Sequence, residues 1–345
     1  MMEVNDRVLE ILQEIRKNPT KIALLEDGVF NLIQDHARDI CRHWFHDTMH
    51  FHAPAFDGTS YSTETIPRVQ NQGFKSVSIT GTACSLQCDH CRGSMLDPMI
   101  QSSPGKFERD ALECLDNGAI GLLVSGGSDK RGTVPIMSII DALKRIKQQH
   151  DIKILIHSGF LENKDLARLK AAGIDGIMFD VCGSKETLER ICHLNRHPTE
   201  YVHMVNDCIS IGLPVMPHVI LGLHEGKIKG EYRALQMLSR NPPDVLVLVI
   251  LMPQKDTPLE NIAPTPLETV TRLFTLARIF FPRIPVMLGC AKPPGEYKLQ
   301  VEKAALLSGL NGIAFPLQET IDLAIEMGKK LQIHNTCCAL VERSR

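Results

Sequence analysis

The sequence predicts an α/β protein, a (β/α)8 barrel of the TIM type whose closure is left open, behind an N-terminal helical extension. From residue 76 onward, eight short apolar strand candidates alternate with helical segments. That alternation is the pattern of a parallel sheet, and eight is the strand count of a closed barrel. Three helix-to-strand junctions also resemble one another: Asn117-Gly118-Ala-Ile-Gly121, Ala172-Gly173-Ile-Asp-Gly176 and Ser308-Gly309-Leu-Asn-Gly312. Each carries the glycine stop expected where a helix ends. An open doubly wound sheet is the competing arrangement of the same elements.

The elements follow in order. Val8, Ile11, Leu12 and Ile15 recur at helical spacing, so residues 3–17 read as a helix, and a second helix spans about 21–48. His43, His46, His50 and His52 follow it with Cys41 beside them, and they read as a surface or a helix over the barrel mouth rather than a metal site. Residues 49–75, rich in Pro, Gly, Ser and Thr, form an extended lead-in. The strands are expected at 76–80, 119–125, 153–158, 176–181, 214–221, 244–252, 285–290 and 312–316. The helices are expected at about 106–116, 134–149, 163–172, 184–211, 229–240, 266–280, 296–309 and 318–330. The organisation is therefore a helical extension and lead-in over 1–73, a barrel over 74–330, and a tail over 331–345 that carries Cys337-Cys338.

With 43% hydrophobic and 23% charged residues and a formal net charge of −2, the chain has no basic excess to bind nucleic acid in bulk. The longest apolar run, Val245–Met252, is too short to span a bilayer. The Met1-Met2-Glu3 start lacks the basic and apolar regions of a signal peptide. Eleven cysteines without such a signal point to a reducing cytoplasm, where thiols serve metal sites rather than disulfides.

The chemistry centres on the stretch that follows the first strand, Gly81-Thr-Ala-Cys84-Ser-Leu-Gln-Cys88-Asp-His90-Cys91. Three thiolates spaced C-x3-C-x2-C can hold three irons of a [4Fe–4S] cluster, which normally takes four cysteines. The missing ligand leaves one iron open to a small molecule. Cys88 and Cys91 alone would also suit a redox pair or half a zinc site, but no second C-x2-C or histidine pair follows within a hundred residues. The next strand ends in Ser125-Gly126-Gly127, where glycine lets backbone approach a ligand closely.

This combination resembles the signature of the radical S-adenosylmethionine (SAM) superfamily over roughly residues 74–316. The resemblance implies that the open iron chelates SAM and that His90 lies near its adenine. It also implies that the Ser125-Gly126-Gly127 turn meets the SAM amino group and that Ile220-Leu221-Gly222 lines the adenine pocket. The reaction implied is reductive cleavage of SAM to a 5′-deoxyadenosyl radical that abstracts a substrate hydrogen. An external one-electron reductant such as ferredoxin or flavodoxin is implied with it.

In a barrel, chemistry gathers at the C-terminal strand ends. Those ends carry His157-Ser158, Asp180-Val-Cys182, Pro217-His218 through Gly222-Leu-His224, Met252-Pro253, Gly289-Cys290 and Pro316. His157, Asp180 and His218 are the catalytic candidates. Cys114, Cys192 and Cys208 fall in predicted helices and read as small apolar residues. Cys290 with Cys337 and Cys338, joined or not by Cys182, are candidates for a second iron–sulfur cluster on a tail folded back over the mouth.

The helical lead-in, Pro217-His218-Val-Ile-Leu-Gly222 and the late cysteines resemble the biotin synthase and lipoyl synthase branch, which inserts sulfur from an auxiliary cluster. The nearest likeness is a subunit of the bipartite archaeal-type lipoyl synthase, which implies an acyl-lysine protein substrate and a second radical SAM subunit. The chain departs from single-chain lipoyl synthase. It has no three-cysteine motif ahead of the SAM motif, and Arg343-Ser344-Arg345 is too short for that enzyme's C-terminal serine motif. A single-cluster mutase, lyase or cofactor-biosynthesis enzyme acting on a small molecule is the alternative. A non-catalytic iron–sulfur or zinc protein is a third reading, and the intact Ser-Gly-Gly turn argues against it.

Overall fold

The computed structural model describes residues 6–54, 61–67 and 73–341. Arg343-Ser344-Arg345, Met1 to Glu3 and parts of the 49–75 lead-in lie outside them. Eleven strands occur among the described residues: β1 (Thr48–His52), β2 (Phe74–Ser78), β3 (Ile100–Gln101), β4 (Gly121–Ser125), β5 (Lys153–His157), β6 (Gly176–Met178), β7 (His218–Leu221), β8 (Leu246–Ile250), β9 (Val286–Leu288), β10 (Gly312–Ala314) and β11 (Lys330–His334). Seven of the eight expected strands begin within two residues of their place; the fifth starts later, because Pro214 and Pro217 break its ladder.

All ladders are parallel. One sheet runs β3-β2-β4-β5-β6 and the other β7-β8-β9-β10-β1-β11. Parallel bridges Ile177–Val215 and Asp180–His218 join them between β6 and β7. The edges left over, β3 and β11, are where the barrel stays open.

Strand periodicity sorts the side chains into two cores. Leu122, Val124, Ile154, Ile156, Ile177, Val219, Leu246, Leu248, Val286, Leu288 and Ile313 face the helices. Phe74, Leu155, Met178, Met216, Val247, Val249, Met287 and Ala314 fill the barrel interior, as alternation across a strand requires. The repeated junctions behave as read, with Gly118, Gly173 and Gly309 all at positive φ.

Three segments differ from expectation. His50 and His52 sit on a buried inner strand, β1, which pairs with β10 and β11 rather than continuing the helix Asp27–Phe45. The expected 184–211 helix breaks into Lys185–Arg190 and Thr199–Ile211. Pro198 explains the restart, because the residue before a proline is disfavoured in helical conformation. The tail forms β11, then turns inward so that Cys337, Cys338, Ala339 and Val341 join the barrel's inner core.

Candidate active site

The cysteine loop leaves the C-terminal end of β2 and is held by backbone from its neighbours. Ser85 N–H donates to Ser128 O at 2.9 Å, and Asp89 N–H to Ile191 O at 2.8 Å. Gly127 N–H donates to Thr80 Oγ1 at 2.7 Å, which fixes the glycine turn of β4 against the loop. A Cβ on Gly127 would lie 1.9 Å from Ala83 O and 2.5 Å from Cys84 Cα, so only glycine fits. Gly126 is looser, its nearest atoms being the Thr80 side chain at 3.1 Å. Ser125 Oγ donates to His157 O at 3.0 Å, tying β4 to β5.

The donor set suits an iron–sulfur cluster. Burial, followed by the charges of Cys88, Cys84 and Asp180, pushes the Cys91 thiol up to about 12, as expected of gathered thiols without a cation to balance them. The three sulfurs do not converge within the 4.8 Å that sharing a single ion would need. A cluster places a separate iron at each thiolate, so this spacing fits it better than zinc. His90 Nδ1 is buried with no hydrogen-bond partner, an orphaned group beside the loop. Cys84, Cys88 and Cys91 would therefore hold the [4Fe–4S] group.

The helix break places Cys192, which the sequence consigned to a helix, against Cys88. Cys88 Sγ lies 3.4 Å from Cys192 O. The Cys192 thiol hydrogen-bonds to Cys88 and lowers its pKa, while its own is raised. The sequence signal for this was Pro198, which ends the preceding segment. His193 adds a clamp, with Nε2 3.1 Å from Asp89 Oδ1 and Nδ1 2.8 Å from Leu86 O.

Ile220, Leu221 and Gly222 end β7. Gly222 is at φ +80°, and a Cβ there would lie 1.9 Å from Thr265 Oγ1. Its N–H donates to Glu231 Oε1 at 2.9 Å, while Glu231 Oε2 accepts Lys229 N–H at 2.6 Å. Val181, Cys182, Ile220, Leu223 and Glu231 line a small cavity beside this turn.

His157, Asp180 and His218 continue the inward parity of Leu155, Met178 and Met216 by one step each. They meet at the centre of the barrel. Their candidate donor atoms all lie within 4.8 Å of one another, with His157 Nε2 3.8 Å from Asp180 Oδ1. Burial opposes charge on Asp180, but the neighbouring His157 outweighs it and holds its pKa at about 2. Burial keeps His218 neutral, at about 4.

The late cysteines are brought to one region. Cys337 and Cys338 are buried side by side, and each acts electrostatically on Cys290 or is acted on by it. Cys182 lies elsewhere, its Sγ 3.4 Å from Ser184 O. Of the four histidines read together, His50 and His52 instead join His334. His50 Nδ1 is 3.1 Å from His334 Nε2, and His52 stacks on His334 with centroids 4.6 Å apart. No helix among the described residues is long and apolar enough to cross a membrane.

Comparison with known proteins agrees with this site. The radical SAM superfamily model matches residues 78–229. The biotin synthase of Campylobacter hominis is 25% identical over 189 residues, 55% of this chain and 57% of that enzyme, so this match spans little more than half its length. The biotin synthase of Neorickettsia sennetsu is 25% identical over 278 residues, 77% of this chain and 83% of the enzyme. In fold, methylornithine synthase superposes with a TM-score of 0.63 at 15% identity, covering 95% of this chain and 96% of its own. The [FeFe]-hydrogenase maturase HydG of Carboxydothermus hydrogenoformans gives 0.62 at 13% identity, covering 95% and 83%. The cysteine loop and glycine turn thus lie in the part of the chain that matches the radical SAM superfamily, whose cofactors are a [4Fe–4S] cluster and SAM, and over a longer stretch the chain is similar to biotin synthases.

Proposed function

We propose that this radical SAM enzyme inserts sulfur into a substrate of the lipoyl or biotin synthase kind, its substrate a small molecule or an acyl chain carried on a protein lysine. Two groups of thiols support the reading: Cys84, Cys88 and Cys91 on the β2 loop, and Cys290, just past β9, with Cys337 and Cys338 on the tail that turns into the inner core. Bound at the first set, the cluster and SAM supply one-electron chemistry that ends in hydrogen abstraction from a C–H bond. The chain's own part is to place that bond and keep water out.

In this reading the Ser125-Gly126-Gly127 turn receives the SAM amino group, and Ile220, Leu221, Gly222 and His90 surround the adenine. His157, Asp180 and His218 face the substrate. Tail residues Cys337 to Val341 close the cavity from the mouth side. A partner radical SAM subunit and an external reductant such as ferredoxin or flavodoxin complete the system.

Iron and sulfide content after anaerobic reconstitution tests it. Cys84→Ala/Cys88→Ala/Cys91→Ala should keep about four irons if the late cysteines hold their own cluster of that type, and should lose all SAM cleavage. Loss of all iron would refute the second cluster. One observation favours a single-cluster mutase, lyase or cofactor-biosynthesis enzyme instead: the centre of the barrel is lined by His157, Asp180 and His218 rather than by thiols. That reading expects Cys290→Ala/Cys338→Ala to leave both iron content and turnover unchanged.

A further inference from the structure

We propose that His157, Asp180 and His218 form a site for one divalent first-row transition ion at the centre of the barrel, apart from the cysteine loop. The three stand on consecutive parallel strands, where His157 ends β5, Asp180 follows β6 by two residues and His218 opens β7, and they share inward parity above the apolar layer of Leu155, Met178 and Met216. Neighbouring backbone fixes each of them. His157 faces Met178 in the β5–β6 ladder, Asp180 bridges to His218, and His218 N–H donates to Phe179 O at 2.9 Å. Among the described residues no other trio of His, Cys, Asp or Glu brings its donor atoms within the same 4.8 Å.

The residues do not satisfy one another. His157 Nε2 and Asp180 Oδ1 stand 3.8 Å apart, beyond a hydrogen bond. Two donors around one ion bound at about 2.1 Å stand roughly 3–3.5 Å apart, so little movement separates this geometry from a shared ion. His218 Nδ1 is buried with no partner. The strongest influences that keep Asp180 ionised are His157, His218 and His90, with no lysine or arginine among them. The Asp180 charge is met by His157, whose pKa it raises, and a cation bound between them would take the place of that proton.

Donor chemistry selects the ion. Imidazole suits zinc, iron, nickel and copper, whereas magnesium and calcium prefer all-oxygen shells. Three protein ligands leave positions open for a substrate atom. The side chains of His157 and Asp180 are 29% and 48% exposed, so those positions are reachable. The ion would sit between the cysteine loop, through His90, and the tail, through Cys337. It would there anchor a substrate heteroatom such as a carboxylate oxygen.

The full-length Cys84→Ala/Cys88→Ala/Cys91→Ala protein removes the loop's thiols, so the test stands apart from the reading of the reaction. We expect it to bind about one Co2+ per chain in anaerobic equilibrium dialysis, with d–d absorption and no thiolate charge-transfer band. X-ray absorption of the loaded protein should give nitrogen and oxygen neighbours at about 2.0–2.2 Å with an imidazole outer shell. Adding His157→Gln and His218→Gln should abolish this cobalt while circular dichroism stays unchanged. No bound cobalt, a sulfur neighbour at about 2.3 Å, or cobalt retained after both histidine changes would overturn the proposal. Should the histidine variants misfold, the absorption spectrum of the parent variant alone decides between nitrogen and sulfur ligation.

Discussion

A methyl group on Gly127 has nowhere to go except into Ala83 O, 1.9 Å from where it would stand, and that atom is backbone. Gly127→Ala should therefore push the cysteine loop off its seat at a cost of about 1–3 kcal/mol. Reconstituted iron should fall to less than half the wild-type content, measured beside circular dichroism to show the barrel intact. Gly126→Ala meets side chains rather than backbone, Thr80 at 3.1 Å and Ile79 at 3.3 Å, which need give only a few tenths of an ångström, and should keep its iron. Equal iron content in the two variants would mean that the loop yields more easily than its contacts imply. Glu231 offers a different test at the same scale. It is 5% exposed, and burial raises its carboxyl to about 7 from 4.5 despite the backbone donors that face it. Between those values the folded protein holds a proton that the unfolded chain has released. The resulting stability is full below about pH 4.5 and is lost as pH rises through 7. Glu231→Gln does not titrate, and its amide turns a donor toward Lys229 N–H. It should be less stable than wild type at pH 5 by about 1–3 kcal/mol, with the gap narrowing toward pH 8 in urea unfolding. A gap independent of pH would show that this carboxyl is ionised throughout.

Helix Leu267–Phe280 is buried on nearly every side and holds Arg278, the largest fully buried side chain among the described residues. Arg278 Nη2 donates to Ile284 O and Asn311 Oδ1, both at 3.0 Å, while its guanidinium lies over Phe45 at 5.1 Å. The arginine thus staples the N-terminal helix Asp27–Phe45 to the barrel, yet Nε and Nη1 have no partner. Arg278→Ala should cost about 2–5 kcal/mol through the cavity it leaves. Arg278→Met keeps the packing and removes a buried charge, so it should cost far less in chemical denaturation. Similar losses in both variants would place the staple's value in its hydrogen bonds instead. At this scale the sequence was informative wherever the signal was local. The eight strand candidates, the three glycine junctions and the C-x3-C-x2-C loop are all short-range patterns, and the structure contains each. Thr48–His52 was illegible because histidine at three- and four-residue steps mimics a helix face, while its pairing partners lie more than 260 residues away. The break before Thr199 was legible in Pro198, which the apolar periodicity on either side obscured. The meeting of Cys88 with Cys192 depends on that break.

At the scale of the whole molecule, chain order and spatial order part company: the last strand, β11, closes on the first, β1, and only then does the tail enter the barrel. Convergence of His157, Asp180 and His218 follows from parity once the strand registers are fixed, which a sequence does not supply. The tail's entry depends equally on global assembly. Its route is set by Ala53 N–H donating to His334 O at 2.8 Å and by His52 Nδ1 3.2 Å from Thr336 O. Beneath it Lys292 and Glu302 form a buried pair 3.6 Å apart, and Lys292 also donates to Gly289 O and Ala314 O. The tail therefore rests on a polar floor rather than on apolar surface alone. Ending the chain after His334 removes Cys337, Cys338, Ala339 and Val341 from the inner core and uncovers the inward faces of β8 and β10, against which they pack. Burial of a few such side chains is worth about 1.5–3 kcal/mol each, so the truncated protein should melt several degrees lower and bind a hydrophobic dye at the mouth. The Cys84-Cys88-Cys91 loop is held by Ser128, Ile191 and the Gly127 turn, all of which remain, so it should still take up about four irons. Loss of that loop's iron as well would mean that the tail organises the whole mouth. An unchanged melting temperature would mean that the tail closes the cavity without supporting the barrel.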